Sequence, residues 1–117
     1  MTKVLLAEDD YTMVSLLTTL LALEGHQVVT VLDKIGDIVQ NIRKEMPDVI
    51  LMDVHLGNLN GLPIVRELRQ QDDLKHIRII MASGLNVRDD CLAAGADEFL
   101  LKPYMPDDLL RLICAQN

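Results

Sequence analysis

Five short apolar-rich runs alternate with stretches of helical hydrophobic period, and this alternation constrains the fold more than any other feature of the chain. Lys3–Ala7, Gln27–Leu32, Asp48–Asp53, Ile77–Ala82 and Glu98–Leu101 read as strands, since apolar and β-branched residues dominate them. Between them, Tyr11–Glu24 carries Met13, Leu16, Leu17 and Leu20 at helical spacing, with Gly25 as the stop. Ile35, Ile38, Val39, Ile42 and Met46 mark a second helix ended by Pro47, and Ile64, Val65 and Leu68 a third. Val87–Ala94 is a short helix closed by Gly95. Pro106 opens the last one, with Asp107 and Asp108 where the helix dipole favours acid. A strand that is apolar on both faces must be covered on both. The pattern therefore predicts an α/β fold, a parallel sheet between helical layers. Strand order does not follow from periodicity.

Half of the 117 residues are hydrophobic, enough for one domain, expected over residues 1–117, with a core of its own. A net charge of −7 argues against direct binding to nucleic acid or an anionic membrane, where nothing would offset the repulsion from phosphates. No apolar run approaches the length of a membrane span, and Glu8 interrupts the segment a signal peptide would need. Cys91 and Cys114 are too few for a disulfide scaffold and lie in helix patterns, so they are expected in the core. The default setting is cytoplasmic. Met13, Met46, Met52 and Met81 are likewise expected as core filler.

In an open parallel sheet, ligands bind beyond the carboxyl ends of the strands. Those positions hold Glu8-Asp9-Asp10, then Asp53, Ser83 and Lys102-Pro103. Asp10 alone suits a helix cap equally well. The set as a whole gathers several carboxylates, a hydroxyl and an ammonium on one edge. Clustered carboxylates repel one another, and a hard divalent cation with oxygen ligands, Mg²⁺ first among them, relieves that repulsion. His55 has no second His or Cys near it in sequence, which argues against its side chain as a metal ligand.

These motifs make the chain resemble the receiver domains of two-component response regulators. The resemblance runs through Val4-Leu5-Leu6-Ala7-Glu8-Asp9-Asp10 and Asp48–Leu56 with Gly61 downstream. It continues through Met81-Ala82-Ser83 and Ala94–Pro103. It implies a flavodoxin-like fold of five strands and five helices in strand order 2-1-3-4-5, with a cis bond between Lys102 and Pro103. It implies that Asp53 is the phosphoacceptor, and that Glu8 and Asp9 hold Mg²⁺ with Asp53 and the backbone carbonyl of His55. Ser83 would bind a phosphoryl oxygen, Lys102 would serve as the family's lysine, and Phe99 as the switch aromatic. The side chains of His55 and Leu85 would flank the path of water to the acyl phosphate and set its lifetime. The implied donor is a histidine kinase or histidine phosphotransfer protein. The implied role is signalling, with catalysis limited to the domain's own phosphorylation and dephosphorylation.

Two departures stand out. Gly57 and then Asn58, Leu59 and Asn60 occupy the loop where the family usually places proline four residues after the aspartate, which suggests a looser loop. Only twelve steps separate Ser83 from Gly95, about one helical turn fewer than usual, so the fourth helix or the loop before it is expected to be short. Gly84 after Ser83 should loosen that loop as well. Rival readings fit less well. A haloacid-dehalogenase phosphatase wants Asp-x-Asp after its first strand and a cap domain. A flavin or dinucleotide module wants a glycine-rich loop where this chain has acids.

Overall fold

The computed structural model describes residues 2–31 and 38–114. In chain order the elements are β1 (Lys3–Ala7), α1 (Tyr11–Leu23), β2 (Gln27–Thr30), α2 (Ile38–Glu45), β3 (Val49–Asp53), β4 (His55–Leu56) and β5 (Leu59–Asn60). They continue with α3 (Gly61–Gln70), β6 (Arg78–Ser83), α4 (Arg88–Ala94), β7 (Glu98–Leu101) and α5 (Pro106–Cys114). Five strands form one parallel sheet in the order β2-β1-β3-β6-β7. Without the small β4–β5 pair this is the expected 2-1-3-4-5. The Lys102–Pro103 bond is cis.

Side-chain alternation along the central strands builds two cores. Leu5 and Ala7, Ile50 and Met52, and Ile79 and Met81 face one side, where Ile38 and Ile42 of α2, Val65 and Leu68 of α3, and Cys91 and Ala94 of α4 cover them. Val4 and Leu6, Val49 and Leu51, and Ile80 and Ala82 face the other side, under Leu17 and Leu21 of α1 and Leu109 and Ile113 of α5. A slip of one residue in β1 or β3 would exchange the two sets, so register is strongly specified.

Several expectations are corrected by this packing. In α1 the buried residues are Val14, Leu17 and Leu21, so of the four expected positions Leu17 is in the core while Met13 and Leu20 are half-buried and Leu16 is exposed. Apolar residues lie nearly all round this helix, so periodicity did not single out one stripe. Leu32 and Ile35 lie outside the described residues. The segment after Asp53, expected as a loop, is a short hairpin pairing His55 with Asn60 and Leu56 with Leu59. Leu56 is fully buried and anchors it, while Gly57 takes the left-handed conformation at φ +58°. Asn60 then caps α3 by accepting from Leu62 N–H at 2.9 Å, so the helix begins at Gly61. Cys114 is exposed and Met13 is only half-buried, whereas Cys91, Met52 and Met81 are core residues as expected.

Met46 is also not core filler. It is 44% exposed and sits at φ +47°, just past the end of α2, where its N–H donates to the Ile42 carbonyl at 2.8 Å. This left-handed cap suits glycine, because a side chain there crowds the backbone. Met46→Gly is therefore expected to stabilise the protein by about 0.5–1 kcal/mol, after the greater freedom of glycine in the unfolded chain is counted. Urea denaturation of the two proteins measures it. A midpoint that falls would show that Met46 contributes packing that outweighs the strain.

Candidate functional site

Parallel strands deliver their carboxyl ends to one edge, and there the sheet gathers its buried polar residues. Glu8 (5% exposed) follows β1, Asp53 (9%) ends β3 and Ser83 (1%) ends β6. The register places Asp53 beside Ala82 and Ser83 beside Leu101, so Lys102 leaves β7 next to both. Its backbone N–H donates to the Ser83 carbonyl at 2.8 Å. Its ammonium donates to Glu8 Oε2 at 2.9 Å and to Asp53 Oδ2 at 3.0 Å.

The electrostatics follow from burial. Burial pushes the Glu8 carboxyl above the usual range. The Asp53 charge pushes the same way, and the Lys102 hydrogen bond works against both. Burial alone would lower the Lys102 ammonium, but its bonds to Glu8 and Asp53 outweigh that and raise it, so it stays charged at neutral pH. Burial also pushes the Tyr104 phenol up to about 12, so this ring, near the same charges, enters neutral-pH chemistry only as a neutral group.

The three consecutive acids have three different partners. Glu8 takes Lys102 with one oxygen and accepts from Asp10 N–H with the other at 3.1 Å. Asp10 caps α1, accepting from Thr12 N–H at 2.9 Å and Met13 N–H at 3.3 Å. The cap role weighed for Asp10 is thus the observed one. Asp9 is exposed and turns towards the hairpin, where its Oδ2 accepts from Gly57 N–H at 2.8 Å. One carboxylate oxygen from each of Glu8, Asp9 and Asp53 lies within 4.8 Å of the others. The donors are all hard oxygens, and a single ammonium offsets three carboxylates. This is a donor set suited to Mg²⁺ rather than to a softer metal.

The remaining expected residues surround this cluster. Ser83 Oγ accepts from Leu85 N–H at 3.1 Å, and among the described residues its hydroxyl hydrogen has no acceptor of its own. The Leu85 side chain is 65% exposed on that turn, and His55 is exposed on β4. Phe99 is half-buried on β7 and packs against the core shared with α2, α3 and α4. Sequence reasoning missed the Gly57 N–H and Tyr104. A backbone donor has no residue-type signal, and Tyr104 is marked only by following Lys102-Pro103.

Comparison with known proteins agrees with this geometry. The model of the response regulator receiver domain matches residues 4–114. Protein PilH of Pseudomonas aeruginosa is 33% identical over 98% of this chain and 97% of its own. The probable transcriptional regulator ycf27 of Guillardia theta is 32% identical over 92% of this chain, which spans only 42% of that relative. Among solved structures, the receiver domain of the sensor histidine kinase PA1611 of P. aeruginosa superposes with a TM-score of 0.82 at 31% identity, covering 96% of this chain and 93% of its own. That structure has a magnesium ion coordinated in its active-site cleft.

A cation that binds only the assembled cluster stabilises the folded state by linkage. The melting temperature is expected to rise with millimolar Mg²⁺ in the wild type and far less in Asp9→Ala, as differential scanning fluorimetry would record. Equal shifts in both proteins would reduce the effect to general screening of the −7 charge.

Proposed function

The chain belongs to the response regulator receiver family, and we propose that it accepts a phosphoryl group on Asp53 from a phosphohistidine of a histidine kinase or histidine phosphotransfer protein. The observation that carries this reading is the Lys102 ammonium bridging Glu8 and Asp53 at the strand ends, with Asp9 completing the acidic cluster. In the transfer, an Asp53 carboxylate oxygen forms a bond to phosphorus as the bond from phosphorus to the histidine nitrogen breaks. The product is an aspartyl phosphate and a free imidazole. Two anions must meet, so the protein's work is positioning and charge compensation. Lys102, already within 3.0 Å of Asp53, is placed to follow the charge onto the phosphoryl oxygens. Ser83, with its hydroxyl hydrogen uncommitted, can donate to another of them. Glu8, Asp9 and Asp53, with the His55 carbonyl that the family resemblance adds, would hold Mg²⁺, which would supply neutralisation of the approaching charge.

Phosphorylation then biases a two-state equilibrium through Ser83 and Phe99. No helix among the described residues is long and apolar enough to cross a membrane. The reading requires neither nucleic acid nor membrane and takes a cytoplasmic setting. The signalling surface would differ from that of common relatives, because α4 has only seven residues, as the short Ser83–Gly95 interval predicts.

Asp53→Asn is expected to abolish incorporation of phosphate from acetyl phosphate or a phosphorylated kinase while the fold is retained. Mass spectrometry and circular dichroism check the two halves of that statement. Undiminished labelling of the variant would remove Asp53 from the role. The lifetime of the adduct is expected to shorten in Leu85→Ala and Leu85→Glu, which strip apolar cover, and to change in His55→Asn, which alters what can hold a water. Decay within twofold of wild type for all three, followed after donor removal, would leave the lifetime to backbone and metal geometry.

A further inference from the structure

Helix α4 is held very differently at its two ends. Its C-terminal end is bound to the guanidinium of Arg69, on α3. There Nε donates to the Gly95 carbonyl at 2.8 Å, and one terminal nitrogen donates to the carbonyls of Lys75 at 2.8 Å and Ile77 at 2.6 Å. The other terminal nitrogen donates to Asp97 Oδ2 at 2.8 Å, and that oxygen also accepts from Ile79 N–H at 2.8 Å. The Arg69 stem lies directly over Gly95: a Cβ built there would stand 2.6 Å from Arg69 Cγ, at a φ of +120° that glycine adopts freely. The N–H groups of Gly95 and Ala96 close the helix on the carbonyls of Leu92 and Cys91, at 3.1 and 3.0 Å.

The N-terminal end has no such clamp. Val87, in the cap position, packs against the core but makes no side-chain hydrogen bond to the first turn. Gly84, Leu85 and Asn86 ahead of it are exposed, and a Cβ built on Gly84 would meet nothing within 4 Å. Two bonds of this turn are internal to it, Val87 N–H to the Leu85 carbonyl at 2.9 Å and Arg88 N–H to Asn86 Oδ1 at 3.4 Å. The bond that joins it to the strand-end edge is Leu85 N–H to Ser83 Oγ, at 3.1 Å. One end of α4 thus rests on a guanidinium, and the other on a hydroxyl of the site itself.

Resting on the phosphoacceptor reading above, we infer that Arg69 fixes the pivot of α4: it holds the helix at Gly95, so that a group bound at Asp53 and drawing on the Ser83 hydroxyl displaces only the other end, residues 84–88. An oxygen that accepts the Ser83 O–H turns that hydroxyl, and the lone pair facing Leu85 N–H turns with it. The turn must follow or lose the bond. Arg69, by contrast, bonds Gly95, Lys75, Ile77 and Asp97 from one ionised group, and such bonds are the strong ones. The displaced segment carries Leu85, 65% exposed, so the change is directed to an apolar surface beside the site and kept from the opposite edge of the sheet. Lysine at position 69 keeps the charge and the stem, but its one nitrogen cannot reproduce the planar fork.

The test uses ¹⁵N-labelled protein with Mg²⁺ and beryllofluoride, which bonds a carboxylate oxygen in the shape of a phosphoryl group. In the wild type, amide shift changes along this segment are expected to be largest at residues 84–88 and to fall to baseline at Gly95 and Ala96, whose amides should exchange slowly with solvent. In Arg69→Lys those two amides should exchange about tenfold faster or more relative to the amides of β3, as the loss of hydrogen bonds to a charged group implies. The shift changes should then spread to them. Cross-peaks of β1 and β3 report whether the variant is folded. Where Arg69→Lys fails to fold, Asp97→Asn gives the reading, since it removes the charge facing Arg69 and keeps an oxygen for Ile79 N–H; the same amides should move in the same direction. Wild-type shift changes as large at Gly95 and Ala96 as at Leu85 would overturn the inference, as would changes near Asp53 that leave Leu85 unmoved. A folded Arg69→Lys with the wild-type pattern of shift changes would overturn it too, even at lower stability, because a merely structural role gives that result. A wild type that does not respond to Mg²⁺ and beryllofluoride at all would instead strike the phosphoacceptor reading on which the inference stands.

Discussion

The Lys102 ammonium, shared between the carboxylates of Glu8 and Asp53, is the interaction on which the rest of the site depends. A parallel sheet sends the ends of all its strands to one edge, and this sequence loads that edge with acid. Two of those acids are nearly buried, where charge is costly unless paired. A single cation bonded to both lets them remain side by side. Losing Lys102 would leave two carboxylates nearly buried and unpaired, whereas losing one acid leaves the ammonium bonded to the other. The arrangement is stable enough to fold and still short of positive charge. That shortage leaves the edge with a hard-oxygen donor set suited to a cation.

Much of this was legible in the sequence because the relevant physics is local. Strands apolar on both faces announce a covered parallel sheet, and acids at the ends of such strands announce where a ligand goes. Asp53, Ser83 and Lys102 are readable as strand-end residues for that reason. What was not legible depends on partners distant in sequence. In α1, apolar residues nearly all round the helix left the stripe undecided until the sheet chose Val14, Leu17 and Leu21. The hairpin after Asp53 is announced by glycine and asparagine only as a turn; its form depends on Leu56 finding the core. Cys114 and Met46 fit an apolar pattern by residue type yet lie where the helices run out of sheet to cover.

Residues within one motif divide their labour in a way that proximity in sequence conceals. Glu8, Asp9 and Asp10 are consecutive, yet one balances a lysine, one takes the hairpin amide and one starts a helix. Asp97, close in sequence to Lys102, serves the opposite edge of the sheet. There its Oδ2 accepts from Ile79 N–H and from Arg69, both at 2.8 Å. Arg69 in turn donates to the carbonyls of Gly95, Lys75 and Ile77, closing the loops at that end. The two edges are thus built with opposite tasks. One engages all three nitrogens of an arginine, and the other keeps carboxylates in excess.

The bond from Lys102 N–H to the Ser83 carbonyl has a mechanical consequence. Through its backbone and its ammonium, one residue fastens the ends of β7 and β6 to the acids that follow β1 and end β3. Four strand ends therefore share a single low-compliance joint. A packed core resists continuous deformation, so a push delivered at this joint is not absorbed as small local strain. Any displacement of the joint would have to be taken up beside it on the same edge, in the turn at residues 84–87 and the hairpin at residues 55–60, which carry Gly84 and Gly57.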